Sequence, residues 1–156
     1  MNQKNIDEAI RDLEGDYIEI ERLRAKISEN IKEQIKIFSS YVEKILPIMN
    51  FIQQKGYYFR HPDFNVRSIR GPILGYIAET NLLYVYDIEE RRIKEINMYN
   101  KEDKVIWIDD FIEKHDFDAA MKGLLHVVDR QKEIINNFQE NITKRGNLIK
   151  KYKDLV

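Results

Sequence analysis

The sequence has no cysteine, and its 156 residues include only three prolines and six glycines. Without cysteine there is no disulfide framework, no thiolate metal site and no cysteine nucleophile. No apolar run approaches the roughly 20 residues that a membrane-spanning helix needs. The N-terminal segment 1–16 carries charges throughout and lacks the apolar stretch of a secretory signal. These absences predict a cytoplasmic protein without membrane contact.

An excess of one charge sign is also missing, because 26 basic residues face 27 acidic ones and the net charge is −1. Broad coating of nucleic acid, or mimicry of DNA by an acidic surface, requires a large field of one sign. Both functions are therefore disfavoured. The length predicts one domain, and a hydrophobic content of 43% is ample for a folded core. The abundance of Ile, Lys and Asn is typical of an AT-rich bacterial or phage genome.

Both ends of the chain carry an apolar stripe with alternate steps of four and three residues. In the first third the stripe consists of Ile6, Ile10, Leu13, Tyr17, Ile20, Arg24, Ile27, Ile31, Gln34, Phe38, Tyr41, Ile45, Ile48 and Ile52. In the last third it consists of Phe117, Met121, Leu124, Val128, Gln131, Ile135, Phe138, Ile142, Arg145, Ile149, Tyr152 and Val156. This spacing is typical of coiled coils and predicts two long helices. Pro47 predicts a kink, or a new segment after Leu46.

The middle of the chain has β-strand character. The segments rich in β-branched and aromatic residues, which predict a meander of three or four strands with additional edge strands, are 73–78, 82–88, 93–98 and 104–108, with 57–61 and 66–69 at the edges. A short helix near Asp109 to Lys114 and an N-cap at Asp116 should precede the last long helix. We divide the single domain into 1–54, 55–108 and 109–156.

Charge predicts how the two helices pair. Residues 7–21 hold seven acids and one base, whereas residues 144–153 hold five bases and no acid. Antiparallel pairing brings these ends together. The predicted fold is therefore α+β: two long helices form an antiparallel coiled-coil hairpin, and a small antiparallel β-meander is inserted between them. In the register that we predict, Gln34 meets Gln131 and fixes the alignment, while the other facing pairs include Ile27 with Phe138 and Leu13 with Tyr152.

A second apolar row, Ile35, Val42 and Met49, lies beside the stripe of the first helix. A seam between two helices does not require this row. It predicts that the sheet folds back over the helices or that a second copy packs there, and we expect self-association through these residues. In its order of elements the chain resembles prefoldin subunits, and the resemblance implies an antiparallel helix pair with strands that assemble subunits.

Residues 57–71 combine four aromatic residues with three arginines and one acid. Tyrosine and arginine are enriched at interface hot spots, so the predicted partner-binding residues are Tyr57, Tyr58, Phe59, Arg60, His61, Arg67 and Arg70. The same mixture also suits stacking on single-stranded nucleic acid. An edge strand followed by an ordinary loop is the third interpretation.

Signals for catalysis are weak. No Gly-rich phosphate loop, nucleophile elbow or paired-histidine motif is present. The acidic residues around His115 are typical of helix capping, so no metal or cofactor is predicted. Asp63, Glu102 and Lys104 loosely follow the carboxylate and lysine layout of metal-dependent nucleases. The polar context of Glu102 is more typical of a hairpin turn.

The sequence thus predicts a non-enzymatic protein–protein interaction module. As a phage or mobile-element protein it would act as an adaptor, or as an inhibitor that binds a host protein such as a defence nuclease. The alternative is a nucleic-acid-binding protein or metal-dependent nuclease that uses residues 57–71.

Overall fold

The computed structural model describes residues 3–156, apart from the side chain of Lys4. Met1 and Asn2, which fall in the predicted N-terminal helical segment, lie outside the described residues. The chain forms a mixed α+β fold whose elements are α1 (Gln3–Gln54), β1 (Phe59–His61), β2 (Phe64–Ser68), β3 (Ile73–Ile77), β4 (Leu82–Asp87), β5 (Arg92–Asn97), β6 (Asp103–Ile106), α2 (Ile108–Lys114), α3 (Phe117–Tyr152) and a final 3₁₀ turn (Lys153–Leu155). Neither long helix has a stretch apolar enough to span a bilayer.

The strands form two antiparallel sheets, a hairpin of β1 and β2 and a meander in the order β3-β4-β5-β6. The four strands of this second sheet begin and end within two residues of the strand segments that the sequence predicts. Its three turns contain Asn81, Arg91 and Lys101 in the left-handed region, with φ values of 53°, 55° and 64°. Such residues let the chain reverse within a few positions.

The helices cover one face of the meander. Tyr84, Tyr86 and Ile93 of the sheet belong to the same buried cluster as residues from all three helices, including Phe38, Val42, Ile45, Met49, Ile52, Phe111, Ala120, Leu124 and Val127. A smaller cluster on the opposite face contains Ile73, Leu83, Val85 and Ile96, against which Phe64 and Val66 of β2 pack. The β1–β2 hairpin therefore lies at the β3 edge of the sheet, where β2 packs on the second face and β1 packs against α3.

The end of α1 is fixed by a Schellman motif. The Tyr57 amide donates to the Ile52 carbonyl at 3.1 Å, and the Gly56 amide donates to the Gln53 carbonyl at 3.0 Å. Gly56 has a φ of 75°, which a residue without a Cβ adopts at little cost. Tyr57 therefore stays beside the last turn of α1.

Pro47 lies inside α1, and the predicted start of a new segment after Leu46 is wrong. Proline removes one helical donor and leaves the carbonyl four residues earlier, at Glu43, without its usual partner. Pro47 and Glu43 are both exposed, so water can reach that part of the helix. The helix continues because the interruption is on its solvent side.

The antiparallel helix hairpin is not confirmed, and its register disagrees with the contacts of α3. The ring of Phe138 lies 6.1 Å from that of Tyr57, at the end of α1. Ile27, the predicted neighbour of Phe138, is about 40 Å farther back along α1 at 1.5 Å per residue. Arg130 Nε also donates to the Tyr58 carbonyl at 2.9 Å.

These contacts also separate the predicted pair Gln34 and Gln131. Gln131 follows Arg130 and so lies near the C-terminal end of α1, about 30 Å from the level of Gln34. At the other end of the core, Phe38 lines a cavity with Trp107 and Ile108, where α2 begins. The strands therefore return the chain to the level of Phe38 where α2 starts. α3 then begins over β3, where Asp116 and Ala119 line a cavity with Gly75, and its later part reaches Tyr57 at the end of α1.

The two helices consequently extend beyond the core at opposite ends. The first buried residue of α1 is Phe38, and the last of α3 is Ile134. We refer to residues 3–34 as the α1 arm and to residues 139–152 as the α3 tail. Within one chain the α1 arm and the α3 tail do not pair.

The second apolar row belongs to the core. Val42 and Met49 are 3% and 0% exposed, and Ile35 packs against the same cluster. The sheet that folds back over the helices covers this row, so the structure does not support the predicted self-association through Ile35, Val42 and Met49.

Candidate interaction surface

Residues 57–71 form the β1–β2 hairpin and its flanks, and strand alternation divides their side chains between two faces. Phe59 and His61 point into the protein and are 1% and 4% exposed. Tyr58, Arg60 and Arg67 are on the exposed side. Phe59 and His61, two of the predicted partner-binding residues, are therefore buried within the chain and do not belong to its exposed surface.

His61 anchors the hairpin to α3. Its Nε2 donates to the Ala119 carbonyl at 2.7 Å, since a carbonyl can only accept, and its Nδ1 accepts from the Asp63 amide at 3.0 Å. Its ring also lies 4.5 Å from that of Phe64. Both nitrogens are thus engaged within the protein, and His61 is a structural residue of the core.

The exposed side carries a compact basic and aromatic group, which we call the hairpin face: Tyr58, Arg60 and Arg67. Arg60 and Arg67 are directly opposite each other in the strand register. The guanidinium carbon of Arg67 lies 4.4 Å from the centre of the Tyr58 ring, a cation–π contact. Three of the seven predicted partner-binding residues are thus brought together on one exposed face.

Tyr57 and Arg70 lie elsewhere. The Tyr57 ring is half-buried against the edge of Phe138. Arg70 forms ion pairs with Asp103 at 2.5 Å and with Asp87 at 3.6 Å. Arg70 therefore belongs to an ionic network and not to the hairpin face.

That network is centred on a buried lysine that the sequence analysis missed. Lys94 is 6% exposed, and its Nζ lies 3.6 Å from carboxylate oxygens of both Asp87 and Asp103 and also pairs with Glu90. The hydrogen bond with Glu90, together with the other nearby acids, raises the Lys94 pKa, and the hydrogen bond from Arg70 lowers the Asp103 pKa. All of these charged groups have partners, so we interpret the network as one that stabilises the fold. Its signal in the sequence was a lysine two residues before Ile96 in a strand, and therefore on the same face as that buried residue.

The residues of the nuclease alternative do not share a site. Asp63, in the β1–β2 turn, pairs with Lys122 of α3 at 3.3 Å, whereas Lys104 of β6 pairs with Glu95 at 3.4 Å. The hairpin contacts β3, and β3 and β6 are opposite edges of the meander, about 14 Å apart at the usual strand spacing. Across residues 3–156, no group of three or more His, Asp or Glu side chains is placed to hold a metal ion.

A second exposed surface lies on the α1 arm and the α3 tail. On the α1 arm, Ile10, Leu13 and Tyr17 are 60%, 62% and 65% exposed. Similar exposure holds for the stripe of α3 at Phe138, Ile142, Ile149 and Tyr152. A contiguous apolar stripe of this length in water usually marks an interaction site. The sequence revealed the stripes; only the structure shows that the chain leaves them uncovered.

Comparison with known proteins finds no relative: no protein-family model, curated protein or solved structure matches the chain. The antiparallel helix pair that the resemblance to prefoldin subunits implied is not confirmed by the fold.

Proposed function

We propose that this chain is a non-enzymatic interaction protein that presents the hairpin face to an acidic surface of a protein partner. It would serve as an adaptor or as an inhibitor. The observation that carries the proposal is the exposed cross-strand pair of Arg60 and Arg67 beside Tyr58. The composition favours a phage or mobile-element protein of the cytoplasm, and a host enzyme such as a defence nuclease would be a suitable partner.

The arginine pair is costly for the fold. Like charges directly opposite each other in a sheet destabilise it. Two outward guanidinium groups can each bind a carboxylate through parallel hydrogen bonds, which lysine does not match. Their placement is therefore better explained by recognition than by stability.

The hairpin also supplies rigidity, which lowers the entropy lost on binding. Phe59 is buried, His61 is hydrogen-bonded to α3, and Asp63 is paired with Lys122. The Tyr58 ring holds the Arg67 guanidinium in place. The three side chains of the hairpin face thus need little reorganisation to contact a partner.

Capture of partners from a nuclease-treated lysate of the source organism tests the proposal. A protein retained by the wild-type chain should be lost with Arg60→Ala/Arg67→Ala and kept with Lys32→Ala/Lys36→Ala, which removes two exposed charges from α1. Nuclease treatment excludes retention through bound nucleic acid. Retention that does not change in the Arg60/Arg67 variant contradicts the proposed role of the hairpin face.

The second candidate function is binding of single-stranded nucleic acid, which the contact between Tyr58 and Arg67 favours because aromatic rings stack on bases. Two phosphate contacts would make the affinity fall with salt, and removing both arginines should lower that logarithmic slope by about 1.4, at about 0.7 per contact on a single strand. Binding of labelled oligonucleotides at several salt concentrations measures the slope. A salt-dependent affinity lost in the double variant would favour this candidate over a protein partner.

A further inference from the structure

The strongest unexplained feature is the pair of apolar stripes that leave the core at opposite ends. In the α1 arm, no described residue before Phe38 is buried, although α1 begins at Gln3. Helices of this length gain most of their stability from packing of the apolar face. Something outside the single chain must therefore cover the stripes.

The charged residues beside the two stripes indicate which kind of surface could cover them. The α1 arm carries seven acids in residues 7–21, and Glu14 and Glu21 directly follow the stripe residues Leu13 and Ile20. Residues 144–153, at the end of the α3 tail, carry five bases, among them Arg145 within the stripe and Lys153 beside Tyr152. Because these segments are at opposite ends of one chain, their charges cannot neutralise each other within it.

We propose that a second copy of this chain covers the stripes, with the α1 arm of each copy paired antiparallel with the α3 tail of the other. The α1 arm leaves the core on the Trp107 side and the α3 tail leaves it on the Tyr57 side. A two-fold axis that brings one α1 arm beside the α3 tail of the other copy forms the second, identical pairing as well, and the complementary charges favour the antiparallel orientation. Both pairings form at once, and the assembly closes as a dimer.

Most positions of the two stripes match in this pairing. Ile27 of one copy faces Phe138 of the other, Tyr17 faces Ile149 and Leu13 faces Tyr152. The two stripe arginines, Arg24 and Arg145, fall opposite Ile142 and Ile20. The register predicted within one chain is thus assigned between two chains. About ten large side chains per helix pair would leave water, on the order of 1,000 Å² for each pair and 2,000 Å² for the dimer, as in stable homodimers.

Mixing two charge-reversed variants of the full chain tests the proposal. In the first variant the arm is reversed by Glu14→Lys, Asp16→Lys and Glu21→Lys. In the second the tail is reversed by Arg145→Glu, Lys151→Glu and Lys153→Glu. Each variant alone places like charges at both pairings, whereas a mixture restores attraction at both.

Sedimentation velocity should give twice the 18.8 kDa chain mass for the wild type, a weakened dimer for each variant alone, and recovery of the dimer on mixing. Rescue by mixing cannot arise from pairing within one chain. A wild type that stays at the mass of one chain at about 100 µM overturns the proposal, as does a mixture no more dimeric than its components. Species that grow beyond a dimer with concentration would also overturn it, because they indicate an open chain of copies.

Disulfide cross-linking gives a second test that does not depend on charge. Because the sequence has no cysteine, only the introduced cysteines can form a disulfide. Mild oxidation of a mixture of Leu13→Cys and Tyr152→Cys chains should form a mixed disulfide dimer. A mixture of Leu13→Cys and Ile142→Cys, displaced by about 15 Å along the helix, is the matched control. Equal cross-linking of both mixtures, or none in the first, contradicts the register.

The proposed dimer does not depend on the protein partner that we propose for the hairpin face. Arg60→Ala/Arg67→Ala should leave the dimer mass unchanged, and the charge-reversed variants leave the hairpin face intact. Loss of partner capture and loss of the dimer are therefore separate failures.

Discussion

At the scale of single residues, histidine and arginine at similar sequence positions have different roles because of the direction in which each side chain points. His61 and Arg60 are neighbours in β1, yet one is 4% exposed and hydrogen-bonded to α3, and the other faces solvent. His115 is a third case. Its ring stacks on Phe111 with centroids 4.8 Å apart and lies 4.4 Å from the Tyr84 ring.

The environment of His115 predicts that the free energy of unfolding decreases as the pH is lowered. Burial lowers the His115 pKa and Lys114 lowers it further, whereas Glu95 acts in the opposite direction. The unfolded chain therefore binds the proton more readily, so stability is complete above the unfolded pKa of about 6.5 and is lost as pH falls through the lower folded value. Urea unfolding measures the free energy of unfolding at pH 7.5 and at pH 5.0. The decrease between the two pH values should be smaller for His115→Phe than for the wild type, because phenylalanine keeps an aromatic ring but cannot titrate.

The matched control is His126→Gln, which should retain the loss that the wild type shows between the two pH values. If His115→Phe keeps the same pH dependence as the wild type, His115 does not contribute to it. Other groups with lowered carboxyl pKa values, such as Asp103, act at lower pH and should affect both variants equally.

At the scale of elements, the contact between α3 and β3 depends on a glycine. A Cβ built on Gly123 would lie 1.7 Å from the Ile73 carbonyl oxygen, so helix and strand backbones touch there. By contrast, a Cβ on Gly146 of the same helix meets nothing within 4 Å. The two glycines therefore have opposite consequences for stability.

Gly123→Ala should lower the free energy of unfolding by about 1–3 kcal/mol, because α3 must move away from the sheet to admit a methyl group. Gly146→Ala should raise it by up to about 1 kcal/mol, since alanine is the better helix former at an open position. Chemical denaturation of the two variants measures both effects. A neutral Gly123→Ala would show that α3 is not held against β3 as closely as described.

At the scale of the whole molecule, the core and the α1 arm have different sources of stability. The meander, α2 and the central parts of α1 and α3 share one buried cluster. Apart from Ile31, which packs against this cluster, the stripe residues of the α1 arm and the α3 tail do not belong to it, so the helical structure of both segments should depend on the second copy.

Helix content should therefore increase with protein concentration. Circular dichroism at 222 nm should strengthen per residue between about 1 µM and 100 µM as the dimer forms. Hydrogen exchange of the central strands should stay slow at both concentrations, because the core does not depend on the dimer. Equal helix content at both concentrations, together with a constant mass of one chain, would show that the α1 arm is stable alone.

The two long helices, the strands between them and the N-cap at Asp116 could all be predicted from the residues alone, because periodicity, β-propensity and capping are local properties. Asp116 indeed accepts a hydrogen bond from the Ala119 amide at 3.1 Å. Within the predicted partner-binding segment, composition drew attention to Tyr58, Arg60 and Arg67 but could not separate them from Phe59 and His61. That separation depends on which face of the hairpin packs on α3.

The spatial relation between the two long helices could not be predicted in the same way and became clear only from the fold. Complementary charges and matching stripes show that two segments suit each other, but they carry no information on whether the segments belong to one chain or to two. The path through the sheet and α2, which returns the chain to Phe38 before α3 begins, separates the α1 arm from the α3 tail. The direction of a helix after a connection is set by packing of the whole core, which no local pattern encodes.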